Sequence, residues 1–204
     1  MKKLLSLLLI VFIIFGCTDN KNNQPEPSAD NSSPKDSTQS SFFPVTSFLK
    51  GQMRLLDSMQ ITFLQVTTAA KKVDSAWIPR EKIRPLLQPF IADLIDKENL
   101  TSFFKESKFN DQSTNAITFT YDPKTALPDS ISLRRWVVYV DPETGNVKRV
   151  YILKQLKANN QVYTQQLTWQ TDKWAKLVTI LNKPGGNSEI QNDMKLIWDL
   201  SSNQ

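Results

Sequence analysis

The C-terminal half of the chain shows a two-residue alternation of apolar and polar positions from Asn115 onward. Successive side chains of a β-strand point to opposite faces of a sheet, so each alternating segment predicts a strand. Turn residues (Asp, Asn, Pro and Gly) separate the segments, and such short connections predict antiparallel neighbours in a β-meander. The six predicted strands contain Ile117/Phe119/Tyr121, Leu133/Arg135/Val137/Tyr139, Val147/Arg149/Tyr151/Leu153, Tyr163/Gln165/Leu167/Trp169, Trp174/Lys176/Val178/Ile180 and Met194/Leu196/Trp198.

The segment that starts near position 46 has helical rather than alternating periodicity. An apolar stripe with the spacing of an amphipathic helix predicts a first helix, with Thr46 or Ser47 as its N-cap. Because such a stripe has to pack on another element, we expect this helix to cover the sheet. The stripe consists of Phe48, Gln52, Leu55, Leu56 and Met59.

A hairpin and a second helix are predicted next along the chain. The run 61–68 is rich in β-branched residues and predicts a strand. The segment 73–78 predicts a second strand that runs back beside it. The second helix is predicted to open at Pro79, while Pro85 and Pro89 interrupt its apolar repeat. Since an internal proline removes a backbone hydrogen bond, we expect a kinked or two-piece helix.

Together these elements predict an α+β fold. An antiparallel meander of about six to eight strands is curved around, or covered by, two or three N-terminal helices, the last of them a short helix at residues 100–105. Apolar residues on both faces of the central strands indicate that both faces are at least partly covered. A small lipocalin-like barrel with a helical lid is the alternative.

The first seventeen residues have the pattern of a secretory signal. Two lysines precede an apolar run over residues 4–15 that only Ser6 interrupts, and Gly16 and Cys17 follow. A helix of this length is too short to cross about 30 Å of hydrocarbon comfortably, and a polar tract follows at once. We therefore expect residues 1–16 to be a signal peptide.

The sequence Ile14-Phe15-Gly16-Cys17 resembles the lipobox of bacterial lipoproteins, in which the cysteine thiol is acylated and becomes the new N-terminus. The resemblance implies lipidation at Cys17, the only cysteine of the chain. Thr18 stands where an aspartate would resemble an inner-membrane retention signal, so we expect an outer-membrane anchor. Because no dense acidic run follows Cys17, the periplasmic face is preferred to the cell surface.

A tract of Asn, Gln, Ser, Asp and Pro follows the cysteine. It cannot bury enough apolar surface to offset the entropy of backbone ordering, which costs about 1–2 kcal/mol per residue. We therefore expect residues 17–42 to be the lipidated cysteine and a disordered tether, whose ends would lie about 25–30 Å apart. Residues 43–204 are expected to form a single α+β domain.

The composition excludes several kinds of chemistry. The 204 residues include 25 Lys and Arg, 20 Asp and Glu, no His and one Cys. Zinc fingers, His-based metal sites, His-dependent nucleophilic pairs and intramolecular disulfides are therefore excluded. We predict no cofactor and no metal, and we identify no catalytic residue. Nucleic acid is not expected as the partner of an exported protein.

The expected domain has a modest positive charge. From residue 43 onward, 21 basic and 16 acidic residues leave a net charge of +5. Attraction to phosphorylated lipid headgroups or to an acidic partner fits this charge, and so does an ordinary solvated sheet face.

The segment Asp141-Pro142-Glu143-Thr144-Gly145 lies between two predicted strands. It resembles the turn of PepSY-type envelope domains, in which a D-P-x-T-G turn joins two strands. The motif is mainly turn chemistry, because proline sets φ at the second turn position and glycine supplies a left-handed residue. We therefore expect a hairpin at this position.

Catalytic groups without histidine are sparse. A Ser-x-x-Lys spacing occurs at Ser102 and Lys105, but the two phenylalanines between them are typical of core residues. The remaining carboxylates fall at predicted turns, where acidic residues are expected as caps, and no spacing indicates a facing pair. These turn residues are Asp122, Asp129, Asp141, Glu143 and Asp172.

All five tryptophans lie on or next to predicted strands, where aromatic residues usually pack in the core. A lipocalin- or LolA-like site would use the same residues to bind a hydrophobic ligand. Trp169 and Trp174 flank a predicted turn, so we expect them near one end of the sheet. With the basic pair Arg134 and Arg135, they make up the predicted ligand or partner surface.

As a whole, the chain resembles lipoproteins of Gram-negative envelopes, and the lipobox carries that resemblance. We predict a non-catalytic, outer-membrane-anchored protein that binds a partner protein or a hydrophobic envelope ligand. One alternative is an envelope hydrolase that uses carboxylates or a Ser–Lys pair. Another is a structural accessory subunit of an outer-membrane complex.

Overall fold

The computed structural model describes residues 42–69, 72–92 and 98–199. The predicted signal peptide, Cys17 and the tether up to residue 41 lie outside the described residues. No helix within the described ranges is long and apolar enough to cross a membrane.

Three α-helices and two 3₁₀ turns precede most of the sheet: α1 (Val45–Ser58), a turn at Arg80–Lys82, α2 (Ile83–Leu87), a turn at Gln88–Phe90 and α3 (Glu98–Thr101). The expected two-piece second helix is confirmed, because Pro85 lies within α2 and Pro89 lies in the turn that follows it. A proline cannot donate a backbone hydrogen bond, so a continuous α-helix does not form here.

The first helix is confirmed, and its predicted buried stripe is right in part, because Phe48 and Met59 pack against the core. The predicted cap is wrong. It begins at Val45 after Pro44, without a side-chain cap. Leu55, predicted on the buried face, is 38% exposed. Leu56 is common to the predicted stripe and to the set of side chains that α1 buries. Contacts with the sheet determine which side of the helix is buried. The side chains that α1 buries are Val45, Thr46, Leu49, Met53 and Leu56.

Nine antiparallel strands form one sheet in the order β2-β1-β9-β8-β7-β6-β5-β4-β3. Consecutive strands from β3 to β9 are neighbours, which confirms the meander, and the hairpin β1–β2 pairs with β9. The strands are β1 (Phe63–Ala69), β2 (Lys72–Ile78), β3 (Phe104–Asp111), β4 (Ala116–Pro123), β5 (Leu133–Val140), β6 (Val147–Ala158), β7 (Gln161–Gln170), β8 (Trp174–Asn182) and β9 (Ser188–Ile197).

The strand count of six to eight was too low, because β3 was not predicted. Four of its eight residues are charged, and its first two residues were assigned to the third helix. That helix ends at Thr101 instead. Strand β3 pairs with β4 along its whole length, so backbone pairing with a neighbour determines its conformation.

The barrel alternative is wrong. Among the described residues, β2 and β3 each pair with a neighbour on one side only, so the sheet is open and has two edges. Eight strand spacings of about 4.8 Å place those edges roughly 38 Å apart when measured along the sheet.

One face of the sheet, which we call the inner face, packs against the helices. Leu49 of α1, Leu87 of α2 and Phe90 join the strand residues Leu167 and Leu196 in a single buried cluster. Because side chains alternate along each strand, the neighbours of these strand residues lie on the opposite, outer face.

Two aromatic groups fill the inner face. The rings of Tyr121 and Trp136 stack with their centroids 4.5 Å apart and their planes at 14°. Two strands from Trp136, on β7, the ring of Trp169 lies 5.6 Å from that of Phe90 and 5.1 Å from that of Trp198. Large aromatic side chains bury much apolar surface, so these groups make up much of the core.

Candidate partner-binding surface

The structure separates the two tryptophans predicted as a surface. Trp169 on β7 is fully buried on the inner face, opposite Ala175 of β8. Trp174 precedes Ala175 in the same strand and therefore lies on the outer face. Both residues are near the sheet end that carries the 171–173 turn, as expected, but only Trp174 is available at a surface.

The two predicted arginines have structural partners. A register shift in β5 sets Arg134 at a bulge, where its guanidinium donates to the carbonyl oxygen of Ile131 at 2.6 Å and to the side-chain oxygen of Gln155 at 3.1 Å. Arg135 lies on the outer face and forms an ion pair with Asp122. These contacts hold the loop and strand together and do not bring the arginines to Trp174.

A row of four apolar residues crosses the outer face on the β2 side of the sheet. The strand register places Trp77 opposite Leu64, Leu64 opposite Ile197, and Ile197 opposite Trp174. We call these four residues the apolar strip. Directly opposed side chains in antiparallel strands contact one another, so the strip is one continuous surface across four strands.

The strip ends at an exposed edge. Trp77 and Val73 on β2 are 68% and 69% exposed, and both lie on the outer face. Val73 lies four residues from Trp77 on the same strand, with Ser75 between them. Exposing an isolated hydrophobic side chain is ordinary, but Trp77 belongs to the apolar strip. Contiguous apolar surface of this kind is typical of interaction sites.

Cations border the strip. The ammonium of Lys195 lies 4.6 Å from the centre of the Trp174 ring, which is a cation–π distance. Farther along the same cross-strand row, the guanidinium of Arg149 lies 4.6 Å from the centre of the Tyr139 ring. The two stacked cations give the outer face aromatic surface edged by positive charge.

The opposite edge of the sheet has a different surface. Strand β3 carries Lys105, Glu106, Lys108 and Asp111, and Phe109 is its one large exposed apolar residue, at 66%. The strand register continues the row of directly opposed residues from Trp174 across the rest of the sheet. Phe109 is the last residue of this row, which begins at Trp77. It therefore provides a matched reference for Trp77.

A small cleft separates α1 from the segment after α2. It has a volume of about 190 Å³, and its lining holds no tryptophan. Asp57 forms an ion pair with Arg84 at one side of it. The residues that line the cleft are Lys50, Met53, Arg54, Asp57, Arg84 and Ile91.

Two carboxylates at turns act as backbone caps. Asp141 accepts hydrogen bonds from the backbone N–H groups of Thr144 at 2.9 Å and Glu143 at 3.0 Å, and these bonds lower its pKa. The predicted hairpin is confirmed here, with Gly145 at φ +72°. Hydrogen bonds from the hydroxyls of Ser113 and Thr114 lower the pKa of Asp111 in the β3–β4 turn.

Two other acidic side chains belong to ion pairs. Hydrogen bonding and charge from Lys157 lower the pKa of Asp129, and Lys183 does the same for Glu189. Within residues 42–69, 72–92 and 98–199, no three acidic, His or Cys side chains lie close enough together to hold a metal ion.

Sequence reasoning did not identify three of the four strip residues. Trp77, Leu64 and Ile197 were assigned to strands or placed beside them, but the pairing that aligns them was not predicted. The alternation in β1 and β2 is a usable signal, since Trp77 and Val73 share one parity. Comparison of the chain with known protein families and with curated proteins gives no match.

Proposed function

We propose that the protein is a non-catalytic lipoprotein, anchored through acylated Cys17 on the periplasmic face of the outer membrane, that binds a partner protein with the apolar strip. The observation that carries the proposal is the extension of the strip to an edge strand, where Trp77 is 68% exposed. Aromatic residues surrounded by polar surface are typical anchors of protein interfaces.

The expected anchor and tether support a binding role. Two or more acyl chains hold a protein stably at a bilayer. A flexible tether of this length would let the folded part stand about 25–30 Å clear of the membrane. Phe42 packs on the ring of Tyr121, 4.9 Å away on the β4 side, so the tether would join the folded part far from β2.

The state of the carboxylates also supports binding rather than catalysis. Asp111 and Asp141 stabilise turns through hydrogen bonds, and Asp129 and Glu189 pair with lysines. Each of these contacts lowers the pKa of its carboxyl and stabilises the ionised form. A general acid needs the opposite shift.

A hydrophobic envelope ligand is the second candidate, and one observation favours it. The indole N–H groups of Trp136, Trp169 and Trp198 are buried and have no acceptor among the described residues. An unmade hydrogen bond of a buried donor costs about 1–3 kcal/mol. An acyl ester or carboxylate that entered beneath the helices would supply acceptors, although the core would have to open.

Photo-crosslinking in living cells tests the main proposal. A benzophenone amino acid at Trp174 is expected to give an adduct with a distinct protein, and Ile197→Ser is expected to reduce its yield. The same probe at Phe109, in the same row at the other edge, is the matched control and should give little adduct. Equal yields at both positions would refute a partner site on the strip.

Two further readouts separate the remaining possibilities. A lipid that co-purifies with the wild-type chain, without any protein adduct at Trp174, would favour the ligand candidate. Membrane fractionation of Cys17→Ser tests the anchor, because unchanged membrane association would refute lipidation.

A further inference from the structure

The free edge of β2 has a defined backbone pattern. The N–H of Ser75 donates to the carboxylate of Asp74 at 2.9 Å, so it does not point toward β1. In an antiparallel pair, alternate residues turn both backbone groups to the same side. Val73, Ser75 and Trp77 therefore present their N–H and C=O groups at the open edge of the sheet.

The same three residues are arranged symmetrically. Val73 and Trp77 lie two positions on either side of Ser75, both on the outer face and both about two-thirds exposed. If a second β2 strand ran antiparallel with Ser75 opposite Ser75, each Val73 would face the Trp77 of the other copy. All three outward-pointing residues would then find backbone partners.

We infer that β2 pairs with β2 of a second copy of this chain, in antiparallel register centred on Ser75. The inference rests on the proposed function, since it is the membrane anchor that would bring the copies together. Paired in this way, the two sheets become continuous, and Val73 of each copy extends the apolar strip of the other copy beyond Trp77.

A second copy fits this edge for two reasons. The reciprocal Val73–Trp77 contact needs a partner strand with the same spacing, and β2 itself has that spacing. One strand pair buries less surface than a stable soluble dimer needs. Anchoring both copies in one membrane raises their effective concentration, so a weak contact becomes sufficient.

The carboxylate of Asp74 moderates the pairing. It accepts a hydrogen bond from the Ser75 N–H, which would otherwise be available to the second copy. In the inferred register the two Asp74 residues lie diagonally across the new strand pair. An edge strand that carries such a charge is protected from indiscriminate pairing. The contact is therefore expected to form between anchored copies and to dissociate after solubilisation.

Cysteine cross-linking in membranes tests the register. Ser75→Cys is introduced into the full chain, and Ser107→Cys, at the opposite edge of the same cross-strand row, is the matched control. Residues opposed in a hydrogen-bonded pair have Cα atoms about 5.5 Å apart, within the range of a disulfide. Oxidised membranes are then compared by non-reducing electrophoresis.

The expected result is a band of twice the chain's mass for Ser75→Cys, at a yield at least five times that of Ser107→Cys. Adding Trp77→Asp to Ser75→Cys is expected to lower that yield several-fold. Equal yields at the two edges, an unchanged yield with Trp77→Asp, or a Ser75→Cys adduct with a different protein would overturn the inference.

Oxidation of the wild-type chain distinguishes failure of the inferred pairing from failure of the proposed function. Its only cysteine is Cys17, which acylation would make unreactive. A disulfide dimer of the wild-type chain would therefore refute the anchor. If wild-type and Ser75→Cys chains both fractionate with membranes and stay monomeric, the result agrees with the anchor and the inferred pairing fails.

Discussion

The two edges of the sheet differ in the surface they offer. Strand β2 presents two exposed apolar residues on the outer face, Val73 and Trp77, and Trp77 is the edge end of the apolar strip. Strand β3 presents Phe109 among side chains of both charges. Charged side chains are a common means of keeping an edge strand from pairing with other chains. Since β3 carries four charged residues and β2 carries two, Lys72 and Asp74, we expect β2 to associate more readily than β3.

The start of the folded part lies on the side of the sheet away from β2. The backbone N–H of Phe43 donates to the hydroxyl of Tyr121 at 3.1 Å, which fixes the start of the folded part on β4, next to β3. Burial raises the pKa of this hydroxyl far above its ordinary value, so it stays protonated.

The largest effect is expected from a core tryptophan rather than from an edge. Trp136→Ala should lower the free energy of unfolding by about 3–5 kcal/mol, because it empties a fully buried, stacked site. Trp77→Ala should change it by less than about 0.5 kcal/mol, as surface substitutions usually do. Urea unfolding followed by circular dichroism measures both. A loss of about 2 kcal/mol or more for Trp77→Ala would show that Trp77 stabilises the fold rather than providing a surface.

Binding of the photo-crosslinked partner should distinguish the edges next. Trp77→Ser is expected to weaken it at least tenfold, or about 1.4 kcal/mol, because the exposed indole extends the strip. Phe109→Ser likewise removes an exposed aromatic ring and should alter affinity by less than about twofold. Titration of the solubilised protein with the purified partner gives both values. Comparable losses at both edges would contradict a site on the β2 side.

The sequence predicted the meander and the hairpins, including edge strand β2, but not strand β3 or the alignment of the apolar strip. Alternation identified the strands that became β4 to β9, since half-buried strands show a clear period. Strand β3 was missed because its charged residues obscure that period. The strip was missed for another reason: Trp77 and Trp174 are aligned by the pairing of β1 with β9, a long-range contact that local patterns do not encode.

Acid is expected to affect the β3 side locally. In the folded state, hydrogen bonds from Ser113 and Thr114 lower the pKa of Asp111 from 3.8. A lowered pKa means that the stabilisation is present above pH 3.8 and is lost as the pH falls through the lower folded value. Amide chemical shifts of Ser113 and Thr114 should therefore change in that acidic range. Asp111→Ala should abolish the change, and a transition centred above pH 3.8 would refute this assignment.

The smallest effect is expected from the protecting carboxylate on β2. Asp74→Ser removes the acceptor of the Ser75 N–H and the charge beside it. We expect the Ser75→Cys cross-linking yield in membranes to rise a few-fold. The matched change Asp111→Ser at the β3 end should leave that yield unchanged. A lower yield with Asp74→Ser would show that the carboxylate supports the pairing instead of restraining it.

Hydrogen exchange of the full chain in native-like membranes tests whether β2 is the associating edge. The backbone amides of Val73 and Trp77 face the open edge and should exchange rapidly in dilute detergent. They should become protected at high chain density in the bilayer, while the amides of β3 keep the same exchange rate in both conditions. Protection confined to β3, or no change at β2 between the two conditions, would contradict the account.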